Sequence, residues 1–159
     1  MNQIVPTNTK LDEYNRTLFL IESAEKAILQ ITEFFNSLFE TNKIEVKGVF
    51  ASSDSSYINQ IQHNIDNVKQ FTEVKFALMS QIQLYLGSTL DFIVVDLRTI
   101  FSPNNLISLV ETVRGGGLIV IIGNERKNWI ESVNKVYLPN SRSSKLLDWF
   151  LKNQKIQDV

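Results

Sequence analysis

Residues 91–123, DFIVVDLRTIFSPNNLISLVETVRGGGLIVIIG, decide the fold of this 159-residue chain. Runs 92–95 and 118–122 are apolar, rich in β-branched residues and do not alternate with polar ones, which is typical of strands covered on both faces of a parallel sheet. Between them Pro103, at a first helical position, and Ser102, a candidate N-cap, begin a helix whose apolar residues recur at steps of three and four. The stretch therefore predicts one strand–helix–strand unit with a right-handed crossover.

Three consecutive glycines, Gly115, Gly116 and Gly117, stand between this predicted helix and the strand that follows it. Phosphate-binding loops follow a strand and open a helix, where free backbone N–H groups and the helix dipole meet the anion. These glycines follow a helix and open a strand. We therefore predict a structural turn at the edge of the sheet opposite the usual ligand crevice.

The rest of the chain alternates short apolar runs with helical periodicity. Strands are predicted at 17–21, 44–50, 71–76, 92–95 and 118–122. Further helices are predicted at 24–39, 57–68, 77–86, around 129–136, and at 143–153. Such alternation predicts a three-layer, Rossmann-like α/β domain over residues 16–159, with a mainly parallel sheet of about five strands in the order 3-2-1-4-5 and helices on both faces. Residues 1–15 are predicted to be a flexible lead-in, and charges in 44–50 favour a position near an edge for that strand.

Composition sets limits on the class of protein. The chain is 43% hydrophobic and 21% charged, with a net charge of −1, so no overall basic field gathers nucleic acid, although a local patch is compatible with this balance. It has no cysteine, which excludes disulfides, thiolate catalysis and Cys-based zinc sites. No signal-peptide pattern or apolar stretch of membrane-spanning length is present. We expect a soluble, cytoplasmic protein without a membrane partner.

Polar residues follow the predicted strands at the carboxyl edge of the sheet, where open α/β sheets bind ligands. The candidates for a ligand crevice are Glu22, Asp54, Asp96, Arg98 and Arg126, with Asn124 nearby. The turn at 21–25 has two acids and no glycine-rich nucleotide motif, which argues against a dinucleotide or nucleoside triphosphate site. The alternative is that these side chains cap helices and pair with one another. Because the single histidine, His63, has no partner at a catalytic spacing, we expect no catalytic residue, metal or cofactor.

The C-terminal third places cations among aromatic residues. The candidates for a partner or RNA surface are Arg126, Lys127, Trp129, Arg142, Lys145, Trp149 and Phe150. Such residues suit an RNA backbone and unstacked bases, but they also suit an amphipathic helix with a solvated face. Trp149 and Phe150 could equally face a protein partner.

One string of motifs resembles a known family. It consists of YLG at 85–87, the aspartates Asp91 and Asp96, SPN at 102–104 and ETVRGGGL at 111–118, of which ETVRGGG is the most specific part. This string resembles the N-terminal domain of tRNA(Met) cytidine acetyltransferases and of their eukaryotic RNA cytidine acetyltransferase relatives. The resemblance implies a Rossmann-like fold and a link to RNA modification.

The same resemblance also limits which properties of that family can be expected of this chain. In that family the N-terminal domain precedes a helicase-like ATPase module and an acetyltransferase module, which acetylate N4 of cytidine with acetyl-CoA and ATP. The 159 residues carry no Walker lysine motif and no acetyl-CoA-binding domain. The leading hypothesis is therefore a non-catalytic domain that binds a protein partner, with tRNA as a further candidate. The alternatives are a small nucleotide or cofactor binder or enzyme at the carboxyl edge, and a purely structural subunit. The chain is either an excised domain or a stand-alone relative.

Overall fold

A computed structural model describes residues 16–21, 26, 29, 46–65, 73–99, 102–124, 126–136 and 142–153. Five strands lie in these ranges: β1 (Thr17–Ile21), β2 (Lys47–Ser52), β3 (Glu73–Leu78), β4 (Leu90–Asp96) and β5 (Val113–Ile122). The helices are α1 (Ser55–Ile65), a 3₁₀ helix (Met79–Tyr85), α2 (Pro103–Val110), α3 (Arg126–Val136) and α4 (Arg142–Asn153). Of the predicted helix 24–39 only Lys26 and Leu29 are described, and both are helical. The rest of that prediction lies outside the described residues, as does the predicted lead-in.

The five strands form one parallel sheet, which confirms the predicted fold class. The order is β1-β5-β4-β2-β3, so the predicted order 3-2-1-4-5 is wrong. β1 pairs with β5 at one edge instead of lying between β2 and β4, and its burial pattern fits an edge because only Ile21 in it is fully buried. β2 is not an edge strand: it lies between β4 and the edge strand β3, and it is more buried than β1. Its exposed charge, Lys47, is at its amino end and pairs with Glu73.

Apolar side chains cover both faces of the sheet. On one face Val49, Ile93 and Ile119 pack with residues of the 3₁₀ helix, α2, α3 and α4. On the other, Phe50 and Phe92 pack with residues of α1. Since full burial of such a side chain contributes about 1.5–3 kcal/mol, these two layers hold the sheet at the centre of a three-layer domain.

The glycines lie inside β5, so the predicted structural turn at 115–117 is corrected to a bulge. Pairing advances by two residues on β4, from Leu90 to Phe92, while it advances by five on β5, from Val113 to Leu118. The extra residues are accommodated where glycine is needed, since Gly116 has a φ of 75°. The bulge nevertheless lies at the amino end of β5, which is the end of the strands opposite the usual ligand crevice, as the sequence predicts.

Several helix ends differ from prediction by a few residues. α1 begins at Ser55, and residues 66–72, which include the end of the predicted helix, lie outside the described ranges. The predicted helix 77–86 is a 3₁₀ helix over Met79–Tyr85, and its first two predicted residues belong to β3. Pro103 opens α2 as predicted, but the Ser102 side chain makes no capping hydrogen bond. None of the helices in the described ranges combines the length and the apolar character needed to cross a bilayer.

Candidate functional site

The carboxyl edge of the sheet is organised by Asp96, the last residue of β4. Its carboxylate is buried, and Oδ2 accepts hydrogen bonds from Ser52 Oγ at 2.8 Å and from Arg98 Nη2 at 2.9 Å. Oδ1 accepts from Arg98 Nε at 2.9 Å and from the Arg98 backbone N–H at 3.1 Å. The forked, charge-assisted geometry is the strong form of an arginine–carboxylate contact. Both oxygens of Asp96 are thus engaged within the protein.

Arg98 links three segments around this carboxylate. Its guanidinium lies 4.4 Å from the ring centroid of Tyr57 on α1, in a cation–π contact. Its carbonyl oxygen accepts a hydrogen bond of 2.9 Å from Asn124 Nδ2, beyond the end of β5. The hydrogen bond to Asp96 raises the pKa of Arg98 above its ordinary value.

Asp54 caps α1 beside this network. Its Oδ1 accepts hydrogen bonds from the Ser56 hydroxyl at 2.7 Å, the Ser56 backbone N–H at 2.9 Å and the Tyr57 N–H at 3.3 Å. These bonds, led by that from the Ser56 hydroxyl, lower the pKa of Asp54 below 3.8. The Asp54 N–H donates to Ser52 Oγ at 3.0 Å, which joins the cap to Asp96. A carboxylate therefore occupies this helix N-terminus, where an anionic ligand would otherwise be favoured.

The structure brings three of the five crevice candidates together: Asp54, Asp96 and Arg98. Glu22 lies outside the described residues, and Arg126 opens α3 but its side chain is not described. Sequence reasoning missed Ser52 and Tyr57. Ser52 ends a strand at this same edge, a signal that could have found it, whereas the sequence around Tyr57 shows only the periodicity of a helix.

The chemistry of this edge is that of a closed network. The side chains of Ser52, Asp96 and Arg98 hydrogen-bond to one another, and His63, exposed in the last turn of α1, takes no part in the hydrogen bonds given above. Within the described ranges no group of three or more His, Cys, Asp or Glu residues could hold a metal ion.

A second polar cluster forms the amino edge, around the ETVRGGG string. Asp91 is buried in β4, where Oδ2 accepts the Lys47 N–H at 2.7 Å and Oδ1 lies 2.6 Å from Arg114 Nη2. The Arg16 side chain donates to the Val113 carbonyl at 2.6 Å. Asp91 therefore ties β2, β4 and β5 together.

One face of α4 carries exposed cations and apolar groups at steps of three and four. We call this face the α4 stripe, and it consists of Arg142, Lys145, Leu146, Trp149 and Lys152. Leu147, on the other side of the helix, is buried in the core. Trp149 is 60% exposed and Leu146 is 39% exposed, while Lys152 forms an ion pair with Asp148. The stripe offers cations and an aromatic face together.

The remaining surface candidates are placed differently. Trp129 is fully buried and its indole N–H donates to the Leu97 carbonyl, so its prediction as a surface residue is wrong. The signal was present, because Trp129 and Val133 lie four residues apart on one apolar side of α3. The side chains of Arg126, Lys127 and Phe150 are not described, although all three residues are helical.

Taken together, the parallel sheet and its helices on both faces define a Rossmann-like α/β domain of the kind that the motif string suggested. A family model described as "tRNA(Met) cytidine acetyltransferase TmcA, N-terminal" matches residues 7–154. The chain belongs to this family.

Individual relatives support the assignment over shorter stretches. A tRNA(Met) cytidine acetyltransferase TmcA of Pyrococcus furiosus is 50% identical over 60 residues, and that of Pyrococcus abyssi is 45% identical over 60 residues. Each stretch covers 38% of this chain and 7% of the relative. A TmcA 2 of Saccharolobus solfataricus is 38% identical over 55 residues, which are 35% of this chain and 7% of the relative. The similarity therefore concerns a small part of much longer proteins.

Proposed function

We propose that this chain is a non-catalytic domain that acts by binding RNA through the α4 stripe. The relatives that it resembles are named tRNA(Met) cytidine acetyltransferases, which makes tRNA the RNA to test. The self-satisfied network at the carboxyl edge supports the non-catalytic part of the proposal, because its charged groups already have partners inside the domain.

The α4 stripe is the observation that carries the proposal. Within α4, Arg142, Lys145 and Lys152 outnumber the one carboxylate, Asp148, and they flank the exposed ring of Trp149. Cations neutralise phosphates, and an exposed aromatic ring stacks on an unpaired base, which contributes about 1–3 kcal/mol. The whole chain has a net charge of −1, so the residues other than these three cations carry a net charge of −4 and do not attract RNA as a whole.

Titration of tRNA at several salt concentrations tests the proposal. Three phosphate contacts predict that log K falls with log salt at a slope of about −2 to −3. Lys145→Glu should reduce the affinity and flatten the slope, whereas Trp149→Ala should reduce the affinity and leave the slope unchanged. Lys75→Glu, at an exposed position of β3 outside the stripe, is the matched control and should bind as the wild type does. Absence of tRNA binding, or equal weakening by Lys75→Glu, would contradict the proposal.

A protein partner at the same helix is the second candidate. It is favoured by the exposure of Trp149 next to Leu146, because tryptophan is enriched among the residues that dominate binding energy at protein interfaces. Such a complex should be nearly insensitive to salt, abolished by Trp149→Ala and retained by Lys145→Glu. A partner isolated from extract, identified and purified, should repeat this pattern. If no protein does so, this candidate fails.

A small-ligand crevice at the carboxyl edge is the alternative with the least support, since Asp96 and Arg98 occupy each other. A thermal-shift screen with nucleotides, acetyl-CoA and S-adenosylmethionine tests it. Saturation at a hundredfold excess over Kd stabilises a protein by about 2.7 kcal/mol. We expect no shift, and a clear shift with any of these compounds would return the crevice to first place. If neither RNA nor a protein nor a small ligand binds, a purely structural subunit remains.

A further inference from the structure

The residues of the α4 stripe form one continuous face of the helix. Since an α-helix turns by about 100° per residue, positions 142, 145, 146, 149 and 152 fall within about 120° of its circumference. The side chains at all of these positions are exposed. The opposite side of the helix holds Leu147, which is buried in the core. Helical geometry and exposure together therefore place the whole stripe on the solvent side of α4.

Cations lie on both sides of the exposed ring of Trp149. At a rise of about 1.5 Å per residue, Lys145 lies about 6 Å from Trp149 toward the amino end of α4, and Lys152 lies about 4.5 Å from it toward the carboxyl end. Arg142 adds a second cation on the amino side. An aromatic ring between cations fits a nucleotide whose base stacks on the ring and whose neighbouring phosphates extend to either side.

The cations of the stripe are not equally available to an anion. Among the residues that the structure describes, Arg142 and Lys145 form no ion pair, whereas Lys152 pairs with Asp148. The carboxylate of Asp148 offsets part of the attraction that Lys152 would exert on a phosphate. The amino half of the stripe therefore carries most of its attraction for phosphates.

The ring of Trp149 distinguishes single-stranded from double-stranded RNA. In a duplex the bases stack on one another, and the deep, narrow major groove of A-form RNA keeps side chains from the base edges. Trp149 would then touch only the backbone, and the cations alone would bind. Unpaired bases expose their faces, and an exposed aromatic side chain can stack on them. Only a strand with unpaired bases therefore uses both the ring and the cations of the stripe.

We propose that the α4 stripe binds a single-stranded segment of RNA, with one unpaired base stacked on Trp149 and the neighbouring phosphates held mainly by Arg142 and Lys145. This inference rests on the proposed function and names the form of RNA that the same stripe binds. Because every base has a face on which an aromatic ring can stack, the absence of pairing matters more than the sequence of the segment.

Fluorescence anisotropy at one salt concentration tests the inference with three RNAs of equal length. The first is a labelled strand made only of A and C, which cannot pair with itself, the second is that strand annealed to its complement, and the third is a strand with abasic riboses. The first should bind about tenfold more tightly than the other two. Trp149→Ala should remove this preference and leave the affinities for the duplex and the abasic strand unchanged. Trp149→Phe keeps an aromatic face and should retain most of the preference.

The cations are tested with the same single strand. Lys145→Ala should weaken its binding several-fold more than Lys152→Ala, because Lys152 is already paired. Lys75→Glu, outside the stripe, is the control and should bind as the wild type does. A larger loss for Lys152→Ala than for Lys145→Ala would contradict the assignment of the phosphates to the amino half.

Two further results would overturn the inference: a duplex that binds as tightly as the single strand, or a Trp149→Ala variant that weakens both equally. Duplex binding that Lys145→Glu removes would contradict this inference alone and leave RNA binding through α4 in place. Absence of binding to all three RNAs and to tRNA would contradict both this inference and the proposed function.

Discussion

The guanidinium of Arg114 lies 2.6 Å from Oδ1 of Asp91, and this ion pair joins the glycine bulge of β5 to β4. The other oxygen of Asp91 accepts the Lys47 N–H of β2 at 2.7 Å. One carboxylate therefore connects three neighbouring strands at the amino edge. The string ETVRGGG, which is the most specific sequence feature of the chain, builds this edge of the sheet.

Asp91→Ala should destabilise the domain more than Arg114→Ala. The first change removes a buried carboxylate that accepts the Lys47 N–H and pairs with Arg114. A hydrogen bond to a charged group contributes about 1.5–3 kcal/mol, so we expect a loss of about 2–3 kcal/mol. The second change removes the half-exposed guanidinium of an ion pair that is partly open to solvent, and it should cost no more than about 1 kcal/mol. Urea unfolding measures both losses. An Arg114→Ala loss equal to or above that of Asp91→Ala would contradict this description of the amino edge.

Gly117→Ala should be tolerated poorly. A Cβ at this position would lie 2.7 Å from the Asp91 carbonyl oxygen and 2.9 Å from the Arg114 carbonyl oxygen, and backbone atoms cannot move aside as a side chain does. Overpacking of this kind costs about 1–3 kcal/mol. Because both crowding atoms belong to the backbone, we expect the loss of stability for Gly117→Ala near the upper end of this range. Gly87→Ala is the comparison, because a φ of 84° strains it while nothing lies within 4 Å of its Cβ. Thermal unfolding should show a larger loss of stability for Gly117→Ala than for Gly87→Ala. A larger loss for Gly87→Ala would contradict the close backbone approach described for the bulge of β5.

Asp96→Ala should destabilise the carboxyl edge by about 2–3 kcal/mol, since it removes charge-assisted hydrogen bonds from a buried carboxylate and leaves Arg98 without its anion. The exposed pair of Lys152 and Asp148 on α4 provides a contrast. Lys152→Ala should cost only about 0.3–0.5 kcal/mol. Chemical denaturation distinguishes the two magnitudes, and equal losses would show that the Asp96 network is solvent-screened.

The Asp54 cap predicts a pH dependence. The folded-state pKa lies below the ordinary value of 3.8, so the charged form contributes stability that is fully present above pH 3.8 and is lost as the pH falls through the lowered pKa. Asp54→Asn keeps an oxygen acceptor but has no charge to lose. The stability difference between wild type and Asp54→Asn should therefore be constant near neutral pH and shift against the wild type below pH 3.8. A difference that is independent of pH down to pH 2 would contradict this assignment.

Much of the fold could be predicted because its strongest signals are local. The apolar runs of β4 and β5 and the proline that opens α2 each specify a structure within a few residues. The place of β1 could not be predicted, since strand order depends on pairing between distant segments and the usual double winding did not apply. The glycines were misplaced because three residues without side chains carry no periodicity, and a bulge and a turn use glycine for the same conformational freedom.

The candidate site was predicted in part for the same reason. Asp96 and Arg98 were found because residues after a parallel strand share one edge. Ser52 is 44 residues from Asp96, and nothing in the local sequence pairs their side chains. The exposure of Trp149 and the burial of Trp129 depend on how α3 and α4 pack against the sheet. Helical periodicity indicated a buried side for Trp129, but the cations near both tryptophans favoured a surface position for each.

The two tryptophans provide the most direct test of RNA binding through α4. In a nitrogen-15 NMR titration with tRNA, each indole N–H gives its own signal, one from exposed Trp149 and one from Trp129, which is buried against the Leu97 carbonyl. We predict that the Trp149 indole and the amides of 142–153 shift while the Trp129 indole and the amides of Gly115 to Gly117 stay in place. Shifts at the glycines or at Asp96 and Arg98 with α4 unchanged, or no shifts at all, would contradict the proposed function.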